Sequence, residues 1–254
     1  MQEPLNFKPY SCRECAEGAG LGFQLSMAFQ PIVNLREKRI FAHEALVRGV
    51  SNEPAGQILG RVSDQNRYAF DQACRVKAIQ MAARLQMPTC LSINFLPNAI
   101  YRPELCIRTT IAAAEEYGFP LNQVIFEVTE GEQVADHAHL TRIIQYYQQK
   151  GFLTAIDDFG AGYSGLNLLV SFRPDIIKLD MFLIRDIDQD KGRRAIVRGI
   201  VQVCNELNIQ VIAEGIETAA ELAVLQDMGL EYFQGYYFAR PAFEALAEVP
   251  LLAA

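Results

Sequence analysis

Phe152-Leu153-Thr154-Ala155-Ile156-Asp157-Asp158-Phe159-Gly160 joins an apolar run to two adjacent carboxylates and the start of a glycine-rich turn. The run predicts a buried strand, in which an isolated charged carboxylate would be costly. Neighbouring strand residues point to opposite faces, so Asp157 and Asp158 can serve one site only where the strand gives way to the loop. Metal cations at that point would explain the pair. An Asp pair that opens a turn and caps the next helix is the alternative.

The composition is that of an ordinary globular protein. The chain has 254 residues, of which 50% are hydrophobic and 21% are charged, and this is typical of a protein with one large core. Its formal net charge of -7 offers no general attraction to nucleic acid, so we expect no DNA partner. An anionic substrate would need local cations, either metal ions or a few well-placed Lys and Arg side chains.

Residues 1–25 form the least patterned segment, which we interpret as an N-terminal arm that precedes a single domain at 26–254. Cys12 and Cys15 form one C-x-x-C pair, which supplies two of the four ligands of a structural zinc site. Two ordinary thiols are favoured over a redox pair or an intermolecular metal site.

The sequence gives no sign of a secretory or membrane segment. The N-terminus lacks a basic region followed by an apolar one, and no apolar run reaches the ~18 residues of a membrane span. Six cysteines in a chain of this length do not make a disulfide scaffold. Cys74 and Cys204 fall on helical apolar stripes, which predicts small core residues. We therefore expect a cytoplasmic protein without a membrane partner.

Short β-rich runs alternate with helical patterns along the chain. The eight strand predictions cover 27–34, 41–48, 90–97, 124–130, 153–158, 175–181, 210–216 and 232–238. The helix predictions cover 66–86, 103–117, 136–150 and 190–208. This alternation predicts an α/β fold of the TIM (β/α)8 barrel type. Residues 35–40 are too few for a crossover between parallel strands, so a hairpin is expected there and a regular parallel barrel is not. A doubly wound open sheet is the alternative fold.

Seven successive strands, from the second onward, carry polar residues that a buried strand would not choose for packing. These residues are Glu44, Asn94, Glu127, Glu130, Asp157, Asp158, Lys178, Glu214, Glu217 and Gln234. Each alone could be a solvent-facing strand residue. Because parallel barrel strands are usually buried on both sides, the set is expected to converge at the carboxyl ends of the strands. Its carboxylate and amide oxygens suit Mg2+ or Mn2+ rather than zinc or copper.

Such a ligand set fits two reactions. With two cations it could hydrolyse a phosphate ester, and Lys178 would add positive charge near the attacking water. It could equally support abstraction of a proton next to a carboxylate, with lysine as the base. The spacing of the residues does not separate the two. The histidines do not indicate a softer metal, because His43 should face away from Glu44, and His137 and His139 begin a helix, where solvent exposure is expected.

Eight ordered motifs resemble those of the EAL-domain family, from about residue 25 to Pro241. The motifs are Gln30-Pro31-Ile32, Glu44-Ala45-Leu46-Val47-Arg48, Asn94, Phe126-Glu127-Val128-Thr129-Glu130, Asp157-Asp158-Phe159-Gly160, Lys178-Leu179-Asp180, Ala213-Glu214-Gly215-Ile216-Glu217 and Gln234-Gly235-Tyr236. The resemblance implies a modified TIM (β/α)8-type barrel with one antiparallel strand near the N-terminal end of the barrel. It also implies a phosphodiesterase that opens cyclic di-GMP to linear pGpG with two Mg2+ or Mn2+ ions.

The resemblance further implies roles for individual positions. The implied ligands of the first metal are Glu44, Asn94, Glu127 and Asp157, and those of the second are Asp157, Asp158 and Glu214. Lys178 would contact the nucleophilic water, Glu214 is an alternative general base, and Gln234 would order a water at the metal.

Two further groups of residues follow from the same resemblance. The residues implied along the substrate are Gln30, Leu46, Arg48, Asn94 and Asp157, with Arg48 near a phosphate. Glu130 and Glu217 would support the loop after Asp158, which in this family couples dimerisation to metal binding. A homodimer is therefore expected.

The sequence departs from the family pattern at a few positions. Gly49 stands where the family often has Trp, and Ala161 and Gly165 stand where it usually has Thr and Ser. None of these is an implied metal ligand, so loop rigidity and dimer coupling are the properties they affect. A catalytically silent module that acts as a cyclic di-GMP receptor or binds a protein is the alternative function. A separate sensory or regulatory protein is a further expected partner.

Overall fold

The computed structural model describes residues 14, 18, 20–100, 102–129, 137–162, 166, 169–170 and 172–252. Cys12, Cys15, Glu130 and Gly165 lie outside these residues, as does most of the predicted arm. The predictions that concern them stay predictions.

Within the described residues, nine strands form one sheet. They are β1 (Ser26–Asn34), β2 (Arg39–Arg48), β3 (Cys90–Asn94), β4 (Val124–Thr129), β5 (Leu153–Phe159), β6 (Ile176–Leu179), β7 (Gln210–Ala213), β8 (Tyr232–Phe233) and β9 (Ala242–Phe243). Strands β2 to β8 are parallel neighbours in chain order. Strand β1 pairs antiparallel with both β2 and β8 and so closes the barrel. The predicted barrel with one antiparallel strand is confirmed, and the open doubly wound sheet is wrong.

The hairpin between β1 and β2 sets the register of the site strands. Gln30 lies opposite Glu44, and the pairing shifts by a bulge between Ile32 and Val33. Strand β9 pairs antiparallel with β1, with Ala28 opposite Phe243. This two-residue strand was not predicted, because two residues are too few to show a period-2 pattern.

The described helices surround the barrel. They are α1 (Ala55–Leu59), α2 (Arg67–Arg84), α3 (Pro103–Cys106), α4 (Arg108–Tyr117), α5 (His137–Gln149), α6 (Met181–Ile184), α7 (Lys191–Leu207) and α8 (Ala219–Asp227). The predicted helix at 103–117 is two helices that meet at Ile107, and it ends as expected at Gly118, whose φ of 70° is left-handed. Helix α7 is capped at its N-terminus by Asp190, whose carboxylate accepts hydrogen bonds from the N–H groups of Gly192 and Arg193.

The barrel interior consists of an apolar layer beneath a polar one. The apolar layer is formed by Ile32, Ala42, Ile125, Ala155, Ile176 and Ile212. On the parallel strands each of these residues precedes a predicted site residue by two positions, as Ile125 precedes Glu127 and Ile176 precedes Lys178. Since side chains on a strand return to the same face every second residue, the apolar layer closes the barrel directly below the polar groups.

A buried ion pair lies behind strands β3 and β4. Arg75 and Asp71 on α2 are both buried, with 2.8 Å between Arg75 Nη2 and Asp71 Oδ2. Arg75 Nη1 donates to the Tyr147 hydroxyl at 3.1 Å, and its guanidinium lies 5.0 Å from the centre of the Phe126 ring. Asp71 Oδ1 accepts the backbone N–H of Leu96, just after β3. The pair therefore ties α2 to the two strands that carry Asn94 and Glu127.

Several smaller predictions have clear outcomes. Cys74 and Cys204 are buried, as expected. His43 is buried with Nδ1 2.8 Å from Thr89 Oγ1, away from the carboxylates. The expected solvent exposure of His139 is wrong, because this side chain is buried against the carbonyl oxygen of Ile100. Among the described residues, no helix is long and apolar enough to cross a membrane.

Candidate active site

Eight of the predicted site residues meet where the strands end. Glu44 comes from β2, Glu127 from β4, Asp157 and Asp158 from β5, Lys178 from β6, and Glu214 and Gln234 directly follow β7 and β8, while Gln30 comes from β1. Seven of them line one cavity of about 300 Å³, and Glu127 is buried beneath it. The carboxyl ends of barrel strands thus form the site, as in barrels generally.

Lys178 stands at the centre of the cluster. Its ammonium nitrogen lies 2.7 Å from Glu214 Oε1, 2.9 Å from Glu127 Oε2, 3.1 Å from Asp157 Oδ1 and 3.3 Å from Glu44 Oε2. Burial by itself would lower the pKa of this fully buried lysine, but the four carboxylates hold that pKa well above its ordinary value. Lys178 is therefore protonated at neutral pH and donates hydrogen bonds.

Glu44 is held by three donors. Asn94 Nδ2 donates to Glu44 Oε1 at 2.9 Å, and Gln234 Nε2 donates to Glu44 Oε2 at 2.8 Å, beside the contact with Lys178. Burial would raise the pKa of Glu44, but the charge of Lys178 and the hydrogen bonds bring that pKa below its ordinary value. Gln234 also donates to Gln30 Oε1 at 3.3 Å, which links β8 to β1 across the site.

Glu127 is the most deeply buried carboxyl group of the site. Ser92 Oγ donates to Glu127 Oε1 at 2.5 Å, and Lys178 donates to the other oxygen. Burial raises the pKa of Glu127 to about 8, and the nearby charges of Glu44 and Asp157 add to this rise against the opposing effect of Lys178. A cation at this position would remove the cost of the buried negative charge.

A bulge lets two adjacent carboxylates face one site. Strand β5 ends at Phe159, one residue beyond the predicted end at Asp158, so regular alternation alone would send the two carboxylates to opposite faces. Instead, the pairing with β6 shifts between Ile156 and Phe159, and Asp158 adopts a left-handed φ of 53°. Asp tolerates this conformation better than most residues, and a bulge redirects side chains that regular alternation would separate. Gly160 follows with a φ of 98°.

Two groups of three carboxylates could each hold a metal ion. Glu44, Glu127 and Asp157 form one group and Asp157, Asp158 and Glu214 form the other, with the oxygens of each group within 4.8 Å of one another. Asp157 Oδ1 is buried and, although 3.1 Å from Lys178 Nζ, has no hydrogen bond of proper geometry among the described residues. Five carboxylates face one ammonium, so the cluster keeps an excess of negative charge. The all-oxygen donors fit Mg2+ or Mn2+.

Burial also affects the second carboxylate group. It raises the pKa of half-buried Asp158 to about 6, with the charges of Asp157 and Asp180 adding to the rise. It likewise raises the pKa of Glu214 well above the ordinary value, against the opposing charge of Lys178. Both carboxyl groups hold protons more tightly than exposed ones, and a bound cation would release those protons.

Of the remaining predicted residues, Asn94 contacts the site through its hydrogen bond to Glu44, and the others lie around the site. Leu46 and Asn94 line a second, mostly apolar cavity of about 260 Å³ between the barrel and helices α1 and α2. Arg48 is half-buried and donates to the carbonyl oxygen of Val47 at 2.8 Å, outside the main cavity. Glu217 lines the main cavity and accepts a hydrogen bond from Arg185 at 2.8 Å. The loop after Asp158 is described only as far as Gly162, and its support by Glu217 stays a prediction.

Three polar side chains of the site were not predicted as functional. Asp180 and Tyr236 line the main cavity, and Ser92 contacts Glu127. Asp180 and Tyr236 stand inside the quoted motifs without an assigned role, and Asp180 also caps α6 through the N–H of Phe182. The signal for Ser92 was its position two residues before Asn94, which places both on the interior face of β3.

The family model for the EAL domain matches residues 20–241, most of the chain. The chain belongs to the EAL-domain family. A crystal structure of a standalone versatile EAL protein from Vibrio cholerae O395, in its cyclic di-GMP-bound form, is 55% identical and superposes with a TM-score of 0.90, covering 92% of this chain and 100% of that one. The EAL match therefore spans the strands that carry the site.

Two curated relatives from Escherichia coli K12 have different described functions. The blue light- and temperature-regulated antirepressor BluF is 32% identical over 87% of this chain and 55% of its own length. The cyclic di-GMP phosphodiesterase PdeR is 40% identical over 50% of this chain and 19% of its own length. The chain thus spans about half or less of the length of these two relatives, whose described functions differ from each other.

Proposed function

We propose that this EAL-domain protein hydrolyses cyclic di-GMP to linear pGpG with the help of two divalent cations, Mg2+ or Mn2+. The observation that carries the proposal is the pair of three-carboxylate groups that share Asp157 around Lys178. The cyclic di-GMP-bound relative from Vibrio cholerae and the phosphodiesterase PdeR support the substrate and the reaction. Hydrolysis is preferred to proton abstraction because a protonated Lys178 is not a base.

The chain offers ligands for two cations. Glu44, Asn94, Glu127 and Asp157 would hold the first, and Asp157, Asp158 and Glu214 the second. When bound, two such cations activate a water and offset the charge that develops on the phosphate oxygens. The Asn94 side-chain oxygen is available for this purpose, because its hydrogen bond to Glu44 uses the amide nitrogen.

The protein residues supply positioning and proton transfer. Lys178 Nζ donates to the attacking water or to a phosphate oxygen, since it carries a proton at neutral pH. Glu214, whose Oε1 lies 2.7 Å from Lys178 Nζ, is the alternative general base, because its carboxylate lies beside the group that would contact the water. Gln234 fixes Glu44.

Substrate contacts would come from the main cavity and from the residues around it. Gln30 and Leu46 lie along the dinucleotide, and Arg48 pairs with a phosphate through the donors not used by Val47. We expect Glu217, and Glu130 outside the described residues, to support the loop after Asp158.

Titration of the metal-free protein with Mn2+ tests the metal proposal. Calorimetry at pH 8 is expected to give two ions per chain. Because Asp158 and Glu127 have raised pKa values of about 6 and about 8, lowering the pH from 8 to 6 protonates these ligands and weakens binding. Binding at pH 7 should release protons, so the heat should depend on the buffer. One ion per chain, or an affinity independent of pH, would contradict the two-cation site.

We also propose that the protein forms a homodimer next to the site. Two neighbouring side chains of α6, Met181 and Phe182, are 49% and 64% exposed, and Met181 lines the main cavity. A second copy covering them would couple assembly to the site. Phe182→Ser is expected to shift the mass measured by light scattering from dimer to monomer, while Val50→Ser, at another exposed apolar position, should leave it unchanged. A monomeric wild-type protein would disprove this proposal.

A further inference from the structure

Ser92 is a fully buried polar side chain in the middle of the site strands. It lies on β3, opposite Glu44 of β2 and Ile125 of β4, and none of its surface is exposed. Its position two residues before Asn94 puts its hydroxyl on the interior face of the barrel. A buried hydroxyl is tolerated when it is hydrogen-bonded, and Ser92 Oγ lies 2.5 Å from Glu127 Oε1.

The hydroxyl of Ser92 has one proton to donate, and its choice of acceptor is explained by the surrounding donors. Both oxygens of Glu44 already accept hydrogen bonds, from Asn94 on one side and from Gln234 and Lys178 on the other. Among the described residues, Glu127 receives one hydrogen bond from Lys178 on Oε2 and one from Ser92 on Oε1. Ser92 is therefore the group that fixes the second oxygen of Glu127.

We infer that Ser92 is a positioning residue that holds Glu127 in the orientation needed to bind a divalent cation. The carboxylate is anchored from two sides, by Ser92 on β3 and by Lys178 on β6. Without the hydroxyl, the carboxylate is free to rotate toward the ammonium of Lys178, where an ion pair using both oxygens replaces the geometry shared with Glu44 and Asp157. Partners of this kind orient metal ligands and strengthen metal binding. The inference rests on the proposed metal site.

The test compares Mn2+ binding by Ser92→Ala, Ser92→Thr and wild type, using the whole chain and calorimetry with Mn2+ alone. Ser92→Ala is expected to weaken Mn2+ binding by about 10- to 100-fold, the usual effect of removing a partner of a metal ligand. Ser92→Thr keeps the hydroxyl and should restore affinity to within a few-fold of wild type. If the extra methyl group of Thr lowers the melting temperature of the protein in EDTA, Ser92→Cys replaces this variant. Its thiol is a weak donor of similar size, and Ser92→Cys should bind Mn2+ with intermediate affinity.

A matched control exists elsewhere in the barrel. Ser26 is also a buried strand serine, and its hydroxyl donates to a glutamate, Glu244, at 2.5 Å. Glu244 is not a proposed metal ligand. Ser26→Ala therefore removes the same kind of hydrogen bond and should leave Mn2+ affinity unchanged.

The outcomes separate this inference from the proposed function. If wild type binds Mn2+ and Ser92→Ala binds it equally well, the role of Ser92 is wrong while the metal site stands. An equal loss in Ser26→Ala would show a general structural effect and would also overturn the role of Ser92. If wild type binds no Mn2+, the metal site fails and this inference fails with it.

Discussion

Glu44→Gln is expected to reduce the turnover of cyclic di-GMP on the order of 10³-fold, since loss of a metal ligand forfeits several kcal/mol of charge stabilisation. Glu44 belongs to the first three-carboxylate group and also contacts Lys178. Gln preserves the shape but removes the charge, and its amide group would face the amide donors of Asn94 and Gln234. The measurement is the steady-state rate at saturating Mn2+, with circular dichroism to verify the fold.

Glu37→Gln provides the control for this substitution. Glu37 lies in the turn before β2, pairs with Arg39 at the surface, and is not among the residues that line the main cavity. Its replacement should leave turnover unchanged. Full activity of Glu44→Gln would show that the metal site has been assigned to the wrong residues. If wild type binds cyclic di-GMP without turning it over, the silent receptor becomes the better account.

Arg75→Met is expected to destabilise the fold by about 3–5 kcal/mol, because it leaves Asp71 as a buried charge without its partner. Both side chains of this ion pair are essentially inaccessible to solvent. Burial raises the pKa of Asp71, and Arg75 opposes that rise. For a domain of this size the loss corresponds to a melting temperature lower by roughly 10 °C. Thermal denaturation followed by circular dichroism measures it.

An exposed pair at the start of the same helix is the matched control. Arg67 pairs with Asp64 at 2.6 Å on the surface, where an ion pair contributes at most about 1 kcal/mol. Arg67→Met should therefore change the melting temperature little. Equal effects of Arg75→Met and Arg67→Met would show that the buried pair does not stabilise the strands behind the site.

The barrel was predictable from the sequence because its strands are short apolar runs at regular spacing. The brevity of residues 35–40 predicted the hairpin, and the resemblance then gave the antiparallel strand that closes the sheet. What could not be predicted depended on tertiary contacts. His139 is buried because its ring contacts the carbonyl oxygen of Ile100, 39 residues earlier in the chain. Helical periodicity does not reveal a partner of this kind.

The convergence of the polar residues was also predictable, because successive buried strands each carry polar residues that packing would not favour. The geometry of the Asp pair was not. Regular alternation separates Asp157 from Asp158, and the bulge with the left-handed Asp158 reverses that separation. In the sequence, Arg75 and Asp71 have the spacing of ordinary charged residues on an amphipathic helix. Their burial depends on the packing of α2 against β3 and β4, which the sequence pattern does not show.

The most direct test of the central claim is chromatography of cyclic di-GMP incubated with the purified protein and Mn2+, and in parallel with EDTA. The account predicts that linear pGpG accumulates with Mn2+ and that EDTA abolishes its formation. Cyclic di-GMP that stays intact at Mn2+ concentrations that saturate the protein would contradict it.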